Sequence, residues 1–157
     1  CLLRPGSITL GMLRDVLGEV TVDKAVVTKL SAGELPKAPG MKYTHYSPSA
    51  DVVIVRGDVD NTVSKITELA EKSKAEGYRT GIIATEETKD RYQGFEVLVI
   101  GSRQHPETIA ANLFKMLRKC DYHNIQKVYA EGFEETELGL AIMNRLKKAA
   151  GYSIIDV

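Results

Sequence analysis

The sequence has no excess of charge of either sign: 21 lysines and arginines balance 21 aspartates and glutamates over 157 residues. A surface built mainly to hold nucleic acid or an anionic membrane would show a basic excess, so the composition argues against both. No run of 18 apolar residues occurs, so we expect no transmembrane helix. The N-terminus also lacks the charged and apolar regions of a signal peptide. With 43% hydrophobic residues, the chain is typical of a soluble globular domain.

Cysteine is also scarce, since Cys1 and Cys120 are the only two. They form neither a metal-ligand spacing nor a disulfide framework, and we therefore predict a reducing, cytoplasmic location. His105 and His123 are isolated from other ligand residues, so zinc is not expected. The glycine-rich motifs of dinucleotide and P-loop sites are missing, and with them the backbone cradle that such sites require.

Short apolar runs alternate with helical patterns over most of the chain. The runs predict strands at 51–55, 80–85, 95–100 and 127–133, with a possible last strand at 153–157, and the patterns predict helices near 8–17, 58–76, 106–120 and 135–150. Continuous apolar strands are typical of a parallel sheet covered on both faces. We therefore predict an α/β fold: a three-layer, Rossmann-like domain with a mostly parallel sheet, preceded by an extended linker arm.

Polar side chains follow the predicted strands, where ligands collect in such folds. They are Arg56, Asp58, Glu86, Glu87, Ser102, Arg103 and Glu131. Two interpretations stay open for them: solvated loop residues and helix caps, or a small polar pocket at the sheet edge. In the last predicted helix, Gly139 indicates a close contact, and Asn144 and Arg145 are expected to hydrogen-bond a neighbouring loop.

The segment from Gly18 to Ser49 lacks a clear pattern. Its three prolines discourage any long helix, and a connection of about thirty residues without secondary structure is typically functional or interdomain. We predict that it forms an ordered arm that lies on another surface.

The arm ends in "APGMKYTHYSPSA", residues 38–50, which contains a cation and several rings between two prolines. In an extended segment Tyr43 and His45 would point one way, and Lys42 and Tyr46 the other. Tyrosine rings can cover a ligand, and Lys42 can provide charge for a phosphate. The alternative interpretation is an exposed, flexible tether between domains.

The chain begins "CLLRPGSITL", without an initiator methionine and already inside an apolar, strand-like run. We expect a fragment whose upstream domain is not included. The alternative is an initiator methionine that was removed to expose Cys1.

Three motifs, in this order, resemble the two-domain family of threonylcarbamoyl-AMP synthases: "RPGSIT", "APGMKYTHYSP" and "ELGLAIMNRLKKAA". The resemblance covers essentially the whole chain. It implies that residues 1–18 are the end of a YrdC-like catalytic domain, that residues 19–49 are the interdomain linker arm, and that residues 50–157 are the smaller C-terminal Rossmann-like domain.

The resemblance also implies an activity for the full-length protein. Members of the family convert L-threonine, bicarbonate and ATP into threonylcarbamoyl-AMP and pyrophosphate, and Mg²⁺ accompanies the ATP. The product serves the threonylcarbamoyladenosine modification of tRNA. The family's catalytic motifs would lie upstream of Cys1, so we predict no catalytic residue and no metal ligand in this chain. Alone, it is expected to be inactive and to supply a lid and support.

By the same resemblance, Arg4 corresponds to an arginine near the nucleotide, a natural phosphate partner. Lys42, Tyr43, His45 and Tyr46 are the other implied nucleotide-binding residues, which would close over the adenylate. The implied partners are the chain's own YrdC-like domain, the three small substrates and the tRNA threonylcarbamoyl transferase complex. Direct binding of tRNA is the least expected of the candidate functions, because the net charge of the chain is zero. The alternatives are a small nucleotide-sensing module and a protein-interaction module.

Overall fold

Five parallel strands form the centre of the fold. The computed structural model describes residues 1–31, 33–35, 37 and 47–157. The strands are β1 (Asp51–Arg56), β2 (Thr80–Thr85), β3 (Glu96–Gly101), β4 (Lys127–Glu131) and β5 (Ile154–Asp156). Their order in the sheet is β3-β2-β4-β1-β5, and every neighbouring pair is parallel. The predicted α/β class and parallel sheet are confirmed, including the last strand.

The helices include all four that were predicted, close to their predicted positions, and two short ones, at Lys24–Val27 and Lys89–Arg91, that were not. They are α1 (Leu10–Leu17), α2 (Lys24–Val27), α3 (Val59–Ala75), α4 (Pro106–Tyr122) and α5 (Glu137–Ala149), with a short 3-10 helix at Lys89–Arg91. Asp58 caps α3, since its carboxylate accepts the backbone N–H groups of Asp60 and Asn61 at 2.9 and 3.3 Å. Pro106 occupies the first turn of α4, where its missing N–H has no cost.

Two apolar cores, one on each face of the sheet, make the domain a three-layer structure. Neighbouring residues of one strand enter opposite cores: Ile54 and Ile83 pack beneath α4 and α5, whereas Val55 and Ile82 pack beneath α3. All four side chains are fully buried. Strand residues point alternately to the two faces, so a strand covered on both sides must be apolar throughout.

The predicted strand at the N-terminus is reduced to one bridge between Leu2 and Val22. The Leu2 N–H donates to the Thr21 carbonyl at 2.7 Å, and the Asp23 N–H donates to the Leu2 carbonyl at 3.0 Å. The arm was predicted to be extended, but its described part contains α2, which begins at the cap residue Asp23. Four residues are too few for helical periodicity to show in the sequence.

The apolar residues of α1 and its flank are exposed. Ile8, Met12, Val16 and Leu17 have exposed fractions of 63%, 56%, 82% and 66%, and no residue of α1 is buried. The predicted one-sided apolar face is therefore present, but no described residue covers it. Within the described residues, no helix has both the length and the hydropathy needed to cross a membrane.

Candidate functional site

The carboxyl ends of the strands surround a crevice. Strand β1 leads into α3 on one face of the sheet, and its neighbour β4 leads into α5 on the other face. Such a divergence opens a gap between the two strand ends. A cavity of about 460 Å³ lies here, lined by residues 56–59, Arg103 and residues 132–135. A second cavity of about 470 Å³ adjoins it, with apolar side chains such as Pro106 and Ile142 in its wall.

A buried carboxylate organises one side of this crevice. Glu131, at the end of β4, is 1% exposed. Its oxygens accept hydrogen bonds from the hydroxyl groups of Thr88, Tyr92 (2.8 Å) and Thr85 (3.2 Å), and from Nη2 of Arg103 (2.8 Å). Burial raises the pKa of Tyr92, and the neighbouring Glu131 charge raises it further, so the phenol remains a proton donor. Four hydrogen-bond donors thus satisfy the charge of the Glu131 carboxylate. The network connects the end of β4 to the segments that follow β2 and β3.

Arg103 lies on the wall of the crevice. Its guanidinium carbon is 5.0 Å from the centre of the Phe133 ring, and its backbone N–H donates to the Glu87 carboxylate at 3.0 Å. Although burial alone would raise the pKa of Glu87, hydrogen bonds from Ser102 and from the Arg103 N–H lower it to about 2. Nε of Arg103 is buried and has no hydrogen-bond partner among the described residues.

Arg56, at the end of β1, is already paired. Its Nε donates a hydrogen bond to the Asp156 carboxylate at 2.7 Å, and its Nη1 donates one to the Glu135 carboxylate at 2.6 Å. Glu135 also accepts a hydrogen bond from Nζ of Lys147 at 2.6 Å. Both interpretations of the polar strand ends are therefore partly right. Asp58 is a cap and Glu86 forms a surface pair with Lys89, whereas Glu131 and Arg103 belong to a buried network.

A second polar region lies along the C-terminal half of α5, where the N-terminal segment docks. Nδ2 of Asn144 donates to the Val26 carbonyl at 2.6 Å, and Nζ of Lys147 donates to the Val27 carbonyl at 3.2 Å. Near the end of the arm, Oγ of Ser47 donates to the Ala149 carbonyl at 2.9 Å. Asn144 was expected to hydrogen-bond a neighbouring loop, whereas its acceptor, Val26, belongs to the short helix α2.

Three cations occur in this second region. Arg145 lies over the Phe114 ring at 5.9 Å, and the expected hydrogen bond from Arg145 to a loop is not found among the described residues. Burial lowers the pKa of Arg145, and the charge of Arg4 lowers it further. Burial also lowers the pKa of Lys148, with additional contributions from Arg4 and Arg145.

Of the predicted nucleotide-binding residues, the structure places Arg4, which is exposed. Lys42, Tyr43, His45 and Tyr46 lie outside the described residues. The partial burial of Arg145 and Lys148 was not predicted, and the only signal for it was their spacing on one helical face. No group of three or more His, Cys, Asp or Glu side chains in the described part could hold a metal ion, so the implied Mg²⁺ has no ligand set there.

An all-parallel sheet between two layers of helices, with a crevice at the carboxyl ends of its strands, defines a Rossmann-like α/β domain. Residues 8–151 match the family described as "Threonylcarbamoyl-AMP synthase, C-terminal domain", and the chain belongs to that family. The resemblance drawn from the three motifs is confirmed.

Individual relatives agree with this assignment. A protein named threonylcarbamoyl-AMP synthase from Pyrococcus abyssi is 46% identical over 156 residues, which is 99% of this chain and 44% of the relative. The crystal structure of P. abyssi Sua5 complexed with L-threonine matches with a TM-score of 0.86 and 45% identity, over 99% of this chain and 43% of that one. The crystal structure of a C-terminal Sua5 domain from Pyrococcus horikoshii matches with a TM-score of 0.58 and 40% identity, over 71% of this chain and 100% of that one. The chain thus spans less than half the length of the curated relative.

Proposed function

We propose that the chain is the C-terminal part of an L-threonylcarbamoyladenylate synthase. The observation that carries this proposal is the match of 99% of the chain to less than half of a protein named for that activity. In the proposed reaction, the threonine amine forms a C–N bond to the carbon of bicarbonate, one C–O bond breaks and water leaves, and the resulting carbamate oxygen attacks the α-phosphorus of ATP. The bond to the β-phosphate breaks, and pyrophosphate leaves. ATP and its Mg²⁺ would be held mainly by the upstream YrdC-like domain.

The proposed domain boundaries have independent support. A crystal structure of a C-terminal domain alone, covering 71% of this chain, favours residues 50–157 as a unit that folds by itself. The uncovered apolar face of α1 favours assigning residues 1–18 to a domain that continues upstream, because an isolated eight-residue helix is not stable in water. Residues 19–49 would then link the two domains.

The arm is proposed to close over the nucleotide. Two contacts of its described residues, at Val26 and at Ser47, attach the arm to α5 and limit where it can reach. Arg4 would pair with a phosphate. Lys42 would add charge, and the rings of Tyr43, His45 and Tyr46 would cover the adenylate.

The activity is tested by incubating the full-length protein with L-threonine, bicarbonate and ATP. We expect pyrophosphate release and a product with the mass of threonylcarbamoyl-AMP. The 157-residue chain alone should release none, since the catalytic motifs of the family lie outside it. Pyrophosphate release by the isolated chain at a rate similar to that of the full-length protein would contradict the proposal.

The role of the arm is tested in the full-length protein with Tyr43→Ala and Tyr46→Ala. We expect slower turnover with the C-terminal fold intact, as judged by far-UV circular dichroism. Tyr122→Ala is the matched control, because Tyr122 is 85% exposed on α4. Unchanged kinetics in both arm variants would make the arm a tether.

The cellular context follows from the proposed product. Threonylcarbamoyl-AMP would be passed to the tRNA threonylcarbamoyl transferase complex, in the cytoplasm. Direct binding of tRNA by this chain is not proposed, because its charges balance.

The crevice at the strand ends favours a second candidate, a small nucleotide-sensing function of residues 50–157. Its volume of about 460 Å³ and the guanidinium of Arg103 in its wall suit a small polar ligand. Calorimetry of residues 50–157 with ATP, AMP and GTP separates the two candidates. Binding of none of the three nucleotides would remove this second function.

A further inference from the structure

The arm segment with the tyrosines, residues 38–46, begins directly after a residue that is tied to α2. Nζ of Lys37 donates to one carboxylate oxygen of Asp23 at 2.7 Å. The other oxygen of Asp23 accepts the backbone N–H of Ala25 at 3.0 Å. The Asp23 side chain is 6% exposed, so the pair is shielded from water on the side of the carboxylate. One buried carboxylate therefore caps α2 and holds the arm at Lys37.

A second ion pair connects the arm to α2 in the same way. Lys24, the first residue of α2, pairs with Glu34. The Glu34 carboxylate also accepts the backbone N–H of Ser31 at 2.9 Å. The chain thus returns to α2 before it reaches the tyrosines.

Helix α2 is in turn fixed on the sheet domain by directional hydrogen bonds. The carbonyls of Val26 and Val27, the last two residues of α2, have no partner within the helix. Nδ2 of Asn144 donates to the first at 2.6 Å, and Nζ of Lys147 donates to the second at 3.2 Å. Asn144 and Lys147 are each 5% exposed. Apolar contacts alone would let α2 slide along α5, whereas hydrogen bonds require one position.

The buried charge of Lys147 is not needed to neutralise its partner on the sheet domain. Glu135 accepts Nζ of Lys147 at 2.6 Å, but it also accepts Nη1 of Arg56 at 2.6 Å. A buried ion pair is in any case weak evidence for stability, because desolvation opposes the attraction. The contact that only Lys147 supplies is the one with the Val27 carbonyl of the arm.

The far end of the aromatic segment is fixed as well. Oγ of Ser47 donates to the Ala149 carbonyl at 2.9 Å, and the backbone N–H of Ser49 donates to the Asp121 carboxylate at 2.7 Å. Nine residues, 38–46, separate Lys37 from Ser47. A chain advances at most about 3.6 Å per residue, so a segment of this length with both ends fixed has a limited reach.

We propose that α2 is the fixed base of the arm, and that Asp23 and Lys147 are positioning residues for the proposed reaction. Lys147 sets the position of α2 on the sheet domain, and Asp23 sets the residue from which the aromatic segment starts. Both act through other groups of the chain, and no contact with a substrate is assigned to them. The inference rests on the function proposed above. A cover whose ends are fixed in advance loses less conformational freedom when it closes, so ATP should bind more tightly.

The first test is steady-state kinetics of two variants of the full-length protein. Asp23→Asn retains an oxygen that can cap α2 but removes the charge that holds Lys37. Lys147→Met retains the length of the side chain and leaves Glu135 paired with Arg56. The KM for ATP should rise about two- to fivefold in Asp23→Asn and about tenfold in Lys147→Met. The KM for threonine should change little.

Matched variants separate positioning from a general loss of structure. Lys37→Gln should reproduce the effect of Asp23→Asn, the double variant should be no worse than either single one, and Lys37→Arg should retain most of the wild-type affinity. Lys89→Met is the control, since it removes a cation from an exposed ion pair after β2. Circular dichroism checks the fold, and if Lys147→Met does not fold, Asp23→Asn and Lys37→Gln decide.

Hydrogen exchange of the 157-residue chain tests the base of the arm without any activity. The amides of Val26 and Thr28 are hydrogen-bonded in and next to α2. Their exchange should become about tenfold faster in Lys147→Met and stay unchanged in Lys89→Met.

The outcomes distinguish this inference from the proposed function. A wild-type KM for ATP in both Asp23→Asn and Lys147→Met, with threonylcarbamoyl-AMP still formed, would overturn the positioning role and leave the proposed function standing. Equal increases in the KM values for ATP and threonine would overturn it too. A full-length wild-type protein that makes no threonylcarbamoyl-AMP would contradict the proposed function, and hydrogen exchange would still decide whether Lys147 fixes α2.

Discussion

The sheet domain, residues 50–157, and the N-terminal segment, residues 1–37, differ in how they bury apolar surface. The sheet domain places large side chains such as Ile66 and Leu113 out of contact with water. The N-terminal segment leaves Val16 and Leu17 of α1 mostly exposed. The first region therefore carries its own cores, whereas the second depends on contacts that other parts of the protein supply.

The two regions are also held in place by different kinds of contact. The sheet domain is held by two apolar cores around β1, β2 and β4. The N-terminal segment is held to α5 by a small buried patch, with Ala25 and Val26, and by polar contacts such as that of Asn144. Substitutions in the two regions should accordingly have very different effects on unfolding.

The largest effect should follow the loss of the buried carboxylate. Glu131→Ala leaves Arg103 and Tyr92 without their partner, and we expect it to lower the free energy of unfolding by about 3–5 kcal/mol, measured by urea denaturation. The control Glu86→Ala removes an exposed ion pair with Lys89 and should change the free energy of unfolding by less than about 1 kcal/mol. Equal effects of the two variants would mean that the network does not stabilise the domain.

The same substitution in both regions tests the comparison directly. Leu117→Ala removes a side chain that is 1% exposed and should lower the free energy of unfolding by about 2–5 kcal/mol. Leu17→Ala removes a side chain that is 66% exposed and should change the free energy of unfolding by less than about 0.5 kcal/mol. In the full-length protein the effect of Leu17→Ala should grow if an upstream domain covers α1. A large effect in the isolated chain would show that α1 is already packed.

A smaller effect is expected where the two regions meet. Asn144→Ala leaves the Val26 carbonyl buried without its donor, and we expect a loss of about 1–3 kcal/mol in the docking of the N-terminal segment. Limited proteolysis should then cut residues 1–37 faster while residues 50–157 stay resistant. Asn61→Ala, at an exposed position on α3, is the control and should leave the cleavage pattern unchanged.

The smallest effect concerns pH. Because the pKa of Glu87 lies at about 2, below the ordinary 4.5, its ionised form contributes stability above pH 4.5, and that contribution is lost as the pH falls toward 2. An NMR titration should find the depressed value, and Ser102→Ala should raise the pKa of Glu87 toward 4.5. Ser64→Ala, on exposed α3, should leave it unchanged. A Glu87 pKa near 4.5 in the wild type would contradict the hydrogen bonds at this loop.

The strands were predictable because burial on both faces demands continuous apolar residues, as "DVVIV" and "TGIIAT" show. The buried network was not predictable in the same way. Glu131 meets Thr85 and Arg103 only because β4 lies beside β2, which has β3 on its other side, although β4 comes after both strands in the chain. No local pattern encodes that order.

The amino-acid sequence by itself determined most of the secondary structure, the α/β class and the family, because periodicity, turn residues and the three motifs are local properties of the chain. Only the tertiary structure decided which polar groups are buried at the strand ends and where the N-terminal segment docks on α5. The reason is physical: the neighbours of a side chain depend on strand order and on the packing of distant segments, which act between residues that no short stretch of sequence contains.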